Sequence, residues 1–151
     1  MNMRSDFFLT SETPEKGVTI IAHGSRAQRI IMKASDNQLL VLVQGDPTGK
    51  HLIDSLREGL EHGIFRPKMR VLVDMSEFVG IVDWSAVFAM GGMIPPDNST
   101  TGCLSRIAYV VGDNALDALI KFAGVLFDRS NHRAFDNRAD AVKWLLELNL
   151  E

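Results

Sequence analysis

Two short segments place a carboxylate beside a hydroxyl: Asp74-Met75-Ser76-Glu77 and Asp83-Trp84-Ser85. An acid next to a serine can cap a helix or close a turn by accepting orphan amide hydrogens, and Asp83 and Ser76 are well placed for those roles. The same groups can face a ligand beyond the carboxyl ends of parallel strands. Alternatively, Ser76 or Ser85 can be modified, adding about −1.5 to −2 charge beside a helix start and so altering a docking surface. Asp74, Ser76, Asp83, Trp84 and Ser85 therefore stand as binding or regulatory candidates. Gly91, Gly92 and Met93 join them, because the turn-rich stretch from Gly91 to Gly102 is long for a connection and Met93-Ile94 would cover an apolar pocket. A passive surface excursion is the other reading of that stretch.

Other chemistries fail on spacing. Gly45-Asp46-Pro47-Thr48-Gly49-Lys50-His51 has one residue too few between its glycines for a phosphate loop. His51 also stands where a Mg²⁺-binding Ser or Thr is needed, and Pro47 removes an amide. His23, His51, His62 and His132 include no pair one helical turn apart, so no metal site is expected. Gly24-Ser25 lacks the nucleophile-elbow context. Cys103 has neither a second cysteine nor a base in sequence reach to lower its pKa. No cofactor is expected either.

The elements that must position the candidates follow from apolar runs and turn signals. Val18–His23 and Arg29–Lys33 read as two short strands joined at Gly24-Ser25-Arg26, and Gln38–Gln44 as a central strand covered on both faces. Asp46 with Pro47 signals a helix start, and Leu52, Ile53, Leu56 and Leu60 form its apolar stripe up to Gly63. Met69–Val73 is a strand ending in Asp74, and Asp83 caps a helix through Trp84, Val87, Phe88 and Met90. Arg106–Val111 is the next strand, followed by a helix opened by Gly112-Asp113-Asn114. His132–Phe135 is a short last strand, and Asp136-Asn137 opens a final helix burying Ala141, Val142, Leu145 and Leu146. This order predicts an α/β fold: a mixed, mostly parallel sheet flanked by about four helices, with an antiparallel N-terminal edge.

Composition bounds the rest. The chain has 151 residues, 46% of them hydrophobic, so one independent core is expected without metals or cross-links. Residues 1–16 read as a tail or arm, whose Phe7-Phe8-Leu9 either docks a partner or folds back onto the core, and 17–151 as a single domain. A net charge of −3 argues against nucleic acid as a partner. No apolar run reaches the roughly 18 residues of a transmembrane segment, and the lone cysteine fits a reducing cytoplasm. A homodimer is plausible on the general frequency of symmetric dimers.

Taken in order, Val71-Leu72-Val73-Asp74-Met75-Ser76, Asp83-Trp84-Ser85-Ala86, Arg106-Ile107-Ala108-Tyr109-Val110-Val111-Gly112-Asp113 and Arg133-Ala134-Phe135-Asp136 with Ala139–Leu146 resemble the SpoIIAA-like family of the STAS superfamily. The likeness spans roughly residues 29–148. It implies a bacterial, STAS-like, non-enzymatic regulatory module that binds a protein partner. The similarity of that fold to CRAL-TRIO (SEC14-type) domains implies an alternative, the binding or sensing of a small apolar, lipid-like ligand. In anti-sigma-factor antagonists of the superfamily, a partner kinase phosphorylates a serine that follows an aspartate at a helix start. The matching segment here is Asp83-Trp84-Ser85-Ala86, with Trp84 at the phosphorylated position and Ser85 after it. A tryptophan cannot take a phosphate, whereas its apolar surface can pack into a core or against a hydrophobic ligand.

Overall fold

A computed structural model describes residues 5–8, 17–25, 28–65, 69–79, 85, 89, 106–111 and 131–147 of the chain. The aliphatic runs form β1 (Thr19–Ser25), β2 (Gln28–Ala34), β3 (Gln38–Gly45), β4 (Arg70–Phe78) and β5 (Arg106–Val110), and the more polar Asn-His-Arg-Ala-Phe forms β6 (Asn131–Phe135). These make one six-stranded mixed sheet in chain order, antiparallel from β1 to β3 and parallel from β3 to β6. The first hairpin is longer than expected, because Gly24 and Ser25 still pair, with Arg29 and Gln28. Glycine makes this possible: φ at Gly24 is +98°, and a Cβ there would lie 2.0 Å from the Gln28 carbonyl oxygen.

Two predicted boundaries move. The first helix, α1 (Gly49–Glu61), starts after Thr48 and not at Asp46-Pro47. Thr48 Oγ1 accepts from the His51 amide at 3.2 Å, and His51 Nδ1 accepts from the Thr48 amide at 3.3 Å. This reciprocal box satisfies two amides at once, which one aspartate does not do. Strand β4 also continues to Phe78 instead of ending at Asp74. Two α-helices lie among the described residues, α1 and α2 (Arg138–Leu146), and Ser85 and Ala89 are also helical. The helices expected from Asp83 and from Gly112-Asp113-Asn114 fall mainly outside them.

Period-two alternation gives the sheet two different faces. One packs under α1, where Ile30, Met32, Leu39, Val43, Met75 and Tyr109 form a core joined by Leu52. The other is ordered in three rungs by the strand register. Leu40, Leu72 and Ala108 make the apolar middle, flanked by Gln38, Arg70 and Arg106 at the strands' amino ends and by Leu42, Asp74 and Val110 nearer their carboxyl ends. Burying Leu40 and Leu72 completely contributes about 1.5–3 kcal/mol each.

Helix α2 covers this second face with Ala141, Val142 and Leu145, and Asn137 caps it through the Asp140 amide at 2.8 Å. A 3₁₀ turn, Ser5–Phe8, packs beside it. Phe7 and Phe8 are fully buried in the same core, with their rings edge-to-face at 5.3 Å. The Lys33 ammonium, itself buried, donates to the Phe7 carbonyl at 3.1 Å and sits 4.5 Å from the centre of the Phe7 ring. Phe7 and Phe8 have therefore folded back onto the chain's own core. No helix among the described residues is long and apolar enough to cross a membrane.

Candidate functional site

Asp74 sits where β4 carries one residue too many. Opposite Leu42 and Gln44 of β3 stand Asp74 and Glu77, so Met75 and Ser76 together face Val43. Such a bulge re-aims side chains and lets a strand continue past a turn-like residue. Here Asp74 stabilises it, since its Oδ1 accepts from the Ser76 amide at 2.9 Å and from Ser76 Oγ at 2.7 Å. Past the bulge, Gln44 Nε2 donates to Glu77 Oε2 at 3.3 Å.

The other carboxylate oxygen faces α2. Arg138, the first residue of that helix, donates to Asp74 Oδ2 through Nε at 2.9 Å and through Nη2. Its Nη1 donates to the Phe8 carbonyl at 2.9 Å. One guanidinium thus joins β4, α2 and the N-terminal 3₁₀ turn. Burial alone raises the Asp74 pKa, but the hydrogen bonds from Ser76 and the charge and hydrogen bonds of Arg138 outweigh it, leaving the carboxyl below its ordinary range. A buried carboxylate held anionic by four donors is arranged to fasten segments together, and poorly arranged to accept a proton.

Ser85 lies elsewhere. Exposed and helical, it lines an open cleft of about 660 Å³ with Ala89 and, from α1, Gly49, Lys50, Ile53, Asp54 and Arg57. Asp54 accepts from Lys50 at 2.6 Å and from Arg57 at 3.1 Å. The Lys50 hydrogen bond is the main cause that lowers the Asp54 pKa, with both cations adding to it against burial. Lys50 and Arg57 stay largely exposed, so the cleft presents cation, anion, cation along one helix face with Ile53 between them.

The structure therefore joins Asp74 to Ser76 and places Ser85 on the α1 side of the sheet. Asp83, Trp84, Gly91, Gly92 and Met93 lie outside the described residues. The four histidines are dispersed: His23 meets Glu58 at 2.5 Å, His51 caps α1, His62 meets the Glu58 carbonyl at 2.9 Å and His132 meets Tyr109 at 3.0 Å. Burial raises the Tyr109 pKa. Among the described residues no three metal-ligating side chains converge. Sequence reasoning missed Arg138, 64 residues from Asp74, and the trio Lys50, Asp54 and Arg57. The trio carried a readable signal, opposite charges one helical turn apart.

A mixed sheet with α1 on one face and α2 on the other, ending in an Asp-x-Ser bulge, defines a small layered α/β domain. Comparisons narrow the class. The sequence model of the SpoIIAA-like family matches residues 39–146. Among solved structures the chain is similar to an uncharacterized Shewanella loihica protein with a SpoIIAA-like fold, at 18% identity, over 90% of this chain and 99% of that one, with a TM-score of 0.50. Comparison with curated proteins finds no match. The chain belongs to the SpoIIAA-like family.

Proposed function

We propose that this chain is a non-enzymatic regulatory module of the cytoplasm that binds a protein partner through the cleft between α1 and Ser85. The observation that carries this reading is the cleft itself. Its exposed Lys50 and Arg57 around Asp54, with Ile53 and Ala89 in the same lining, suit a partner surface of complementary charge. The charged lining favours a protein over a lipid-like ligand, whose pocket would be enclosed and mainly apolar. Membership of the SpoIIAA-like family supports the regulatory class.

The test combines native mass spectrometry with partner capture, using the full chain and a Lys50→Glu, Arg57→Glu variant. The reading expects a mass free of apolar adduct, and a retained protein that the variant binds about tenfold more weakly or loses. A doubled mass that the variant abolishes would identify that partner as a second copy of the chain. A co-purifying lipid-like adduct, or equal retention by both forms, would overturn the reading.

A further inference from the structure

The amino-end rung of the α2 face carries two cations side by side, Arg70 on β4 and Arg106 on β5, which are paired in register. Arg106 is engaged with α2. It donates to the Trp144 carbonyl at 2.7 Å, at the negative end of the α2 dipole, and its guanidinium lies 5.1 Å from the centre of the Trp144 ring. Arg70 has no such partner: its Nε is buried and makes no hydrogen bond. Beside it, Asn37 takes the Arg70 amide on its carbonyl at 3.0 Å, yet its own Nδ2 is also buried and unbonded.

Two unmet N–H donors on adjoining residues, one belonging to a cation, are an unusual thing to bury. A buried donor without an acceptor costs about 1–3 kcal/mol, and more when charged. The two segments bring no counter-charge of their own in sequence. No acidic residue occurs between Glu61 and Asp74, where Arg66 and Lys68 precede Arg70, and none between Asp97 and Asp113 around Arg106. Asp36, in the turn with Asn37, is exposed and engaged in an interaction of its own.

We infer that Arg70 and Asn37, backed by Arg106, form a binding site for an oxyanion at the amino ends of β4 and β5. A guanidinium with a neighbouring amide offers several N–H donors, the chemistry that carboxylate or phosphate oxygens accept from. Burial and then the adjacent Arg106 charge hold the Arg70 pKa below its ordinary value, a strain that a bound anion relieves. The site is at the opposite end of the strands from Asp74 and does not depend on the partner cleft.

The test follows the Arg70 Nε–H resonance of the full chain by NMR while inorganic phosphate, or a short glutamate-containing peptide, is titrated at constant ionic strength set with chloride. A saturable shift of that resonance is expected with at least one probe, and Arg70→Gln should weaken the same binding about tenfold or more. Saturation by phosphate alone indicates a free small anion as occupant, and tighter saturation by the peptide indicates a protein carboxylate. An Arg70 resonance unmoved by either probe, or equal binding to Arg70→Gln, would overturn the site. The wild-type resonance keeps the test decisive should the variant fail to fold.

Discussion

Asp74 and Arg70 share a strand and a face, the first buried and the second half-buried, with only the Leu72 rung between them, roughly 13 Å from end to end at strand rise. Their surroundings are opposite. Asp74 has donors on both oxygens, from Ser76 within its own bulge and from Arg138 at the amino end of α2. Arg70 faces a cation and an unbonded amide. Leu72 and the distance keep the two from neutralising each other. The acid is part of the scaffold, whereas the arginine is held ready for something the scaffold does not contain. A charge that is satisfied internally reports on folding, and one that is not reports on binding.

Substitutions at the two ends should separate these roles. The largest effect is expected for Asp74→Ala, which strands the Arg138 guanidinium and releases the bulge. A loss of about 3 kcal/mol is expected by urea unfolding, near the lower bound for breaking a buried pair because Arg138 is partly solvated. Acid should reproduce part of this loss. The folded Asp74 pKa lies below its ordinary 3.8, so its contribution is complete above that pH and disappears as the pH falls through the folded value. Unfolding curves from pH 6 to pH 2 should show this limb in the wild type and a flatter one in Arg138→Gln. Ser76→Ala removes one hydroxyl donor but keeps the amide, and should cost about 1 kcal/mol. Arg70→Gln in anion-free buffer should leave stability unchanged or raise it by up to about 1 kcal/mol, the reverse sign, because it removes an unpaired cation. If it destabilises as much as Asp74→Ala, the contrast fails. The smallest change belongs to Lys50→Ala, whose exposed ion pair is worth less than about 0.5 kcal/mol by thermal unfolding.

Much of this architecture was legible in the residues. Five of the six strands coincide with aliphatic or β-branched runs, the sixth being the polar Asn131–Phe135, and the final helix begins at Asn137 as its turn signal indicates. The errors occurred where two local signals competed. Asp46-Pro47 and Thr48 are all good helix starters, and the choice was decided by His51, whose ring completes the cap on Thr48. Asp74 resembles a strand terminator, yet the bulge it supports lets β4 continue. Of the candidate site, the Asp74–Ser76 pair was readable because the residues are two apart. Its contact with Arg138 was not, since nothing local in a helix start announces a carboxylate 64 residues earlier. The unmet donors of Arg70 and Asn37 were invisible for the same reason: a missing partner is a property of the assembled sheet and has no sequence signature.

The Arg138–Phe8 hydrogen bond joins residues 130 positions apart. During synthesis, the N-terminal turn leaves the ribosome well before the helix that supplies its guanidinium partner. Phe7 and Phe8 must therefore wait, with Lys33 as their earliest available anchor, until β4 and α2 have been made. A segment translated early is among the last to be seated, so a nascent chain halted before α2 would leave two phenylalanines open to chaperones or to neighbouring chains.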